Sequence, residues 1–214
     1  MLSHLNHRLY LLLNAPTHPG FVLVACAKIT AGWLVYLAMV LLVMLWVRGR
    51  ADRRGRLLAS TGGVFAALGI NQLLGMIWYE PRPFVIGLGH TLIRHAADNA
   101  FPSDHATFMW SLGLGLIVTG AARRWGAAIW LGGLAVAWAR IFLGVHYPLD
   151  MLASFLVAPL GAAIGALLIP AMERWALPPL DFLYCRCLRW LRLPAVLFPM
   201  DRAASPDGGQ ADHR

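Results

Sequence analysis

Apolar residues run along this chain in long stretches instead of alternating with polar ones. A helix that crosses a bilayer needs about 20 mostly apolar residues. Five stretches reach that length: Phe21 to Val47, interrupted only by Lys28, then Leu57 to Tyr79, Ser103 to Ala121, Trp125 to Val145 and Leu149 to Met172. None has the period of two expected of membrane β-barrel strands, and no internal repeat is evident. The pattern predicts an all-α polytopic transmembrane helical bundle of about five spans over residues 21–172.

The flanks differ from the spans. Residues 1–20 carry His4, His7, Arg8 and a short apolar run, Leu9 to Leu13. That run is too short to cross a bilayer, and no small-residue cleavage site follows a proper apolar core. The expectation is an N-terminal amphipathic helix lying in the interface. Residues 173–200 mix Trp175, Phe182, Tyr184, Trp190 and Phe198 with Arg186, Arg189 and Arg192, which predicts a C-terminal amphipathic segment on the cytoplasmic side. Residues 201–214 are polar and read as a disordered tail.

Composition sharpens the class. Hydrophobic residues make up 59% of the 214 and charged residues only 13%, whereas soluble domains carry about 25% charged residues. A soluble globular domain and a disordered chain are both excluded. The net charge of +8 would suggest nucleic acid in a soluble protein. In a membrane protein, basic residues mark cytoplasmic loops instead, so no nucleic-acid partner is expected. Arg48, Arg50, Arg53, Arg54 and Arg56 fill the first connection, Arg123 and Arg124 the third, and Arg174, Arg186, Arg189 and Arg192 follow the fifth span. With five spans these places share one side, which the rule makes cytoplasmic. The connection Glu80 to Pro102 and the turn at His146 then face outward. Three cysteines, Cys26, Cys185 and Cys187, form no zinc spacing and no disulfide framework.

Ionisable side chains near a membrane are costly and point to function, and the outward side gathers many: Arg82, His90, Arg94, His95, Asp98, Ser103, Asp104, His105, Arg140, His146 and Asp150. Three segments carry most of the signal. Arg82 sits between Pro81 and Pro83, on a stiff segment that presents one guanidinium fork, a shape suited to phosphate. Pro102-Ser103-Asp104-His105 opens the third span, with Ser103 as an N-cap, and a helix N-terminus favours anions. Asp150 follows His146 by four residues, close enough to hold one imidazole nitrogen as a donor and leave the other free to attack. Singly, each has a plainer structural account: a snorkelling Arg, a capped helix, a pair closing a turn. Together they form a set for phosphoryl transfer through a histidine.

The same residues resemble the type 2 phosphatidic acid phosphatase (PAP2) superfamily, whose motifs are K-x6-R-P, P-S-G-H and S-R-x5-H-x3-D. Arg82-Pro83 matches the first, Pro102-Ser103-Asp104-His105 the second, and Arg140, His146 and Asp150 the third. The stretch His90 to His105 is most similar to the bacterial undecaprenyl-diphosphatase branch, the BcrC-like enzymes. Three positions depart from the pattern: Gly75 stands where the first motif has Lys, Asp104 replaces a Gly, and Ala139 replaces a Ser. Lys28, the one lysine, is a candidate stand-in for the missing cation by snorkelling outward.

The resemblance implies that His146 is the nucleophile, Asp150 its orienter and His105 the acid and base. It implies that Arg82, Arg140, Ser103, Asp104 and Lys28 surround the phosphate. The arginines supply the charge, so no metal or other cofactor is expected. His90 and His95 are expected at the surface near the head group. The implied reaction is hydrolysis of undecaprenyl diphosphate to undecaprenyl phosphate and phosphate, in a bacterial plasma membrane with the site facing outside, recycling the cell-wall lipid carrier. The implied partners are the polyprenyl diphosphate substrate and membrane lipids. Other lipid phosphatases or phosphotransferases of the same type, acting on phosphatidylglycerol phosphate, phosphatidate or lipid A, share this residue set. A transporter would place polar residues at the midplane within repeats, which the sequence lacks.

Overall fold

The computed structural model describes residues 2–191. Among these residues seven α-helices follow one another: α1 (Leu2–Leu13), α2 (Phe21–Val47), α3 (Ala51–Ile77), α4 (Asp104–Val118), α5 (Arg123–Phe142), α6 (Pro148–Ala171) and α7 (Leu177–Trp190). A 3-10 turn (Pro83–Ile86) interrupts the long connection between α3 and α4. A π-helical turn (Met172–Ala176) joins α6 to α7. Among the described residues the only β pairing is an isolated bridge between Pro81 and Asn99.

Among the described residues, four helical stretches are long and apolar enough to cross a membrane: α2, α3, α5, and α6 continued through α7. The remaining expected span, α4, has 15 residues. At 1.5 Å per residue it is shorter than the roughly 30 Å hydrocarbon layer. Its position explains how a short helix serves: α4 packs against α3, α5 and α6, and Leu112 and Leu116 are fully buried. Apolar side chains on α2, such as Phe21, Trp33, Leu37 and Val43, point outward instead.

Small residues set how closely the helices approach. Ala59, Gly63 and Ala67 line one face of α3, and Ala158, Gly161 and Gly165 one face of α6. A Cβ placed at Gly161 would lie 2.6 Å from the Gly63 carbonyl oxygen, so the two backbones touch there. Close packing of small residues is how helices associate where lipid offers no hydrophobic contrast.

The two ends of the bundle differ in chemistry. The α2–α3 and α4–α5 connections and the α6–α7 junction hold the arginine clusters. There Arg54, 1% exposed, bonds Asp181 of α7 at 3.0 Å and stacks on Tyr184 at 4.2 Å. The expected C-terminal amphipathic segment is thus helical through Trp190 and tied to α3; its remainder, with Phe198, and the expected tail lie outside the described residues. The opposite end collects the C-terminal ends of α3 and α5 and the N-terminal ends of α4 and α6. Helix α1 packs on α5 and α6 at this end, burying Asn6 and Tyr10 while Leu2, Leu5 and Leu12 stay exposed.

Candidate active site

The turn between α5 and α6 delivers His146. Gly144 makes that turn with φ of +85°, and a Cβ there would collide with the His90 carbonyl, so glycine suits both the conformation and the space. The ring of His146 is 2% exposed. Its Nδ1 lies 2.9 Å from the Ala100 carbonyl oxygen and 3.2 Å from Asp150 Oδ2. A carbonyl can only accept, so Nδ1 carries the proton and Nε2 keeps the lone pair. Asp150 Oδ2 also accepts the Tyr147 N–H at 2.8 Å, which fixes the carboxylate at the start of α6. Burial foremost, then the charges of Arg140 and Arg82, hold the imidazole pKa well below its ordinary value. The result is a neutral ring with one nitrogen tied back and the other available.

Two guanidiniums face that available nitrogen. Arg82 Nη1 is 3.2 Å and Arg140 Nη2 3.3 Å from His146 Nε2. Both arginine residues are only 5% exposed. Arg82 is held further by the carbonyls of Val145 at 2.8 Å and Asn99 at 3.1 Å, and by Asp98 Oδ1 at 2.6 Å. Arg140 reaches His95 Nε2 at 2.9 Å, while its buried Nε has no partner. Buried positive charge is costly, and among the described residues the charge of Arg140 faces no bonded carboxylate while that of Arg82 is shared with the exposed Asp98, so the pair suits an incoming anion.

They open on a cavity of about 380 Å3 that also takes in His105 and Asp104 from the first turn of α4. Asp104 is bonded by Asn71 at 2.9 Å and Gln72 at 3.4 Å, not by either arginine. Ser103 stands at the N-cap position, but its side chain makes no capping bond. Its hydroxyl is buried without a partner and its N–H donates to Ser154 Oγ at 2.9 Å, so the expected capping role is replaced by a bridge to α6. Gly75, in the position of the family lysine, lies under the Asn99 side chain; a Cβ would come within 3.1 Å of its amide nitrogen. Asn99 uses this space to bond the Gly75 carbonyl at 3.0 Å and the Glu80 N–H at 2.9 Å, fastening the α3–α4 connection. Lys28 is exposed on α2 and does not line the cavity.

His90 and Arg94 are exposed and do not line it either. His95 departs from expectation. It is partly buried, lines the cavity and stands against the His146 ring at 6.5 Å between centroids. Arg140 draws it in, a contact that spacing along the chain does not reveal. Burial first, then the two nearby arginines, lower its pKa. Asn71, Gln72, Asn99 and Ser154 also support the site, although no motif contains them. The signal for the first two was present: a polar pair inside an apolar span needs partners.

The chain is 32% identical over 154 residues to the undecaprenyl-diphosphatase BcrC of Bacillus subtilis, covering 72% of this chain and 79% of that one. It is 30% identical over 194 residues to YbjG of Escherichia coli, covering 90% and 93% respectively. A bacitracin transport permease protein of Bacillus licheniformis, also named BcrC, is 28% identical over 156 residues, covering 72% of this chain and 71% of that one. Among solved structures, LpxE of Aquifex aeolicus superposes with a TM-score of 0.55 at 22% identity, covering 75% of this chain and 94% of that one, a likeness of fold. The PAP2 superfamily model matches residues 56–175, which include α4, α5, α6 and the four residues bonded to His146, Arg82, Ala100, Arg140 and Asp150. The chain belongs to the PAP2 superfamily.

Proposed function

We propose that this protein is an integral membrane phosphatase that hydrolyses undecaprenyl diphosphate to undecaprenyl phosphate and inorganic phosphate. The observation that carries the reading is His146 itself. Its Nδ1 is tied by Ala100 and Asp150, and its Nε2 points between two buried guanidiniums. In the first step Nε2 attacks the terminal phosphorus in line. An N–P bond forms, the bridging P–O bond breaks, and His105 gives its proton to the departing lipid phosphate. Arg82 and Arg140 shift from the imidazole lone pair to the phosphoryl oxygens and balance their charge. Asp150 stabilises the positive ring. In the second step His105 takes a proton from water as its oxygen attacks phosphorus, and the N–P bond breaks to release phosphate.

The lipid class is supported by a second hollow. An apolar groove of about 360 Å3, lined by Val35, Tyr36, Met39, Leu68 and Phe108, runs between α2, α3 and α4 and shares Gln72, Asp104 and His105 with the phosphate cavity. A long apolar tail has a sideways path from the phosphate to the lipid. The arginine clusters at the far end favour a plasma-membrane orientation with the site outside, where cell-wall polymerisation releases this carrier.

Phosphate release from undecaprenyl diphosphate by purified protein is the direct test, run beside phosphatidate and phosphatidylglycerol phosphate and with a lipid acceptor added. His146→Ala is expected to abolish release, by at least roughly 10³-fold, with the fold intact. Substantial turnover by that variant would remove His146 from the nucleophile's role. Faster release from another lipid would reassign the substrate.

A further inference from the structure

Arg82 has few donors to spare. Its Nε, Nη1 and Nη2 already meet four acceptors: the Val145 and Asn99 carbonyls, His146 Nε2 and Asp98 Oδ1. The two carbonyls belong to buried or half-buried backbone, and His146 is enclosed. Asp98 is different. It lies on the α3–α4 connection, and its side chain is 59% exposed although its bond to Arg82 is only 2.6 Å. Among the described residues it is therefore the one anionic acceptor on Arg82 that can swing into solvent without unpacking the site. Beside it, His95 donates from Nδ1 to its neighbour Ala96 at 3.2 Å and accepts from Arg140 through Nε2 at 2.9 Å. One short segment thus supplies an acceptor to each of the two guanidiniums.

We propose that Asp98 is a specificity-determining residue, an internal anion that occupies Arg82 and must be displaced when phosphate binds. The inference rests on the phosphatase reading above. An entering ligand competes with this carboxylate and is repelled by it while it stays. A phosphomonoester carries about −1.5 to −2 at neutral pH. A diphosphate adds the charge of a second phosphate and displaces Asp98 more readily. The internal anion therefore favours lipid diphosphates over lipid monophosphates, and it helps expel both products, a monoester and inorganic phosphate. Asp98 positions and competes; it does not react.

Inorganic phosphate itself is the probe. Its binding to full-length protein in detergent is measured by calorimetry for wild type, Asp98→Asn, Asp98→Ala and Asp98→Glu. The neutral variants are expected to bind phosphate roughly three- to tenfold more tightly, the size of a modest charge interaction, and Asp98→Glu to behave like wild type. With lipid substrates, the neutral variants should lower KM for a phosphomonoester more than for a diphosphate. Unchanged or weaker phosphate binding in both neutral variants overturns the proposal and leaves Asp98 as a support for Arg82. A failure of the phosphatase reading has a separate signature: wild type that releases no phosphate from any lipid, with binding still tightened by Asp98→Asn.

Discussion

At the scale of single residues, the site works by keeping a histidine neutral beside two cations. Burial and the flanking guanidiniums depress the His146 pKa in the folded protein, while the unfolded chain takes up a proton near the ordinary value of about 6.5. Between those values the unfolded state binds more protons, so stability rises with pH there. The contribution is fully present above the ordinary value and is lost as pH falls below it. Melting temperature in detergent is expected to drop from pH 7.5 to 5.5, and His146→Gln is expected to flatten that slope. An equally steep slope in the variant would assign the dependence to other groups. Asp98 shows the opposite balance. Burial raises its pKa, but its bond to Arg82 and the charge of that residue outweigh burial and bring it below the usual carboxylate range.

At the scale of elements, α1 matters more than its length suggests. Asn14, just past its end, donates from Nδ2 to the His90 and Phe142 carbonyls at 2.9 and 3.1 Å and accepts the His90 N–H at 2.7 Å. Tyr10 stands edge-on to Tyr147 at 5.4 Å, and His7 stacks on the same ring. Asn6 accepts the Leu149 N–H at 3.1 Å. These contacts press on the turn that carries His146 from both sides of Gly144. Asn14→Ala would strip partners from buried backbone groups, at about 1–3 kcal/mol. Displacing a reacting side chain, the role proposed for His146, typically costs ten- to a hundredfold in rate. The expected outcome is a lower melting temperature together with a kcat about tenfold lower and KM little changed. A variant with wild-type kcat would confine α1 to anchoring.

For the molecule as a whole, chemistry is separated by end. Arginine clusters and the Arg54–Asp181 pair occupy one end, and the cavity occupies the other. Orientation can be checked by labelling single cysteines in a background with Cys26, Cys185 and Cys187 replaced by Ser. Thr91→Cys, exposed on the cavity side, is expected to react with a membrane-impermeant maleimide in intact cells. Arg124→Cys is expected to react only after lysis. The reverse pattern would invert the proposed topology and place the cavity on the inner side.

The hydrophobic pattern was enough to give the class, the approximate places of the long helices and the end that holds the polar groups, because bilayer length and helix period are local properties along the chain; that α4 is too short to span and is enclosed by its neighbours was not in that pattern. Arg82, His105, Arg140, His146 and Asp150 were legible for the same reason: each lies in a short segment whose spacing is kept by one turn or one helix end. The tertiary structure decided what spacing cannot express. It brought His95 and Asp98 onto guanidiniums 45 and 16 residues away, set Asn99 in the space that Gly75 leaves, and turned Asp104 toward Asn71 instead of an arginine. Those pairings arise only when four helix ends meet, since side-chain partners across a bundle depend on where backbones touch, and small residues such as Gly63 and Gly161 determine that contact.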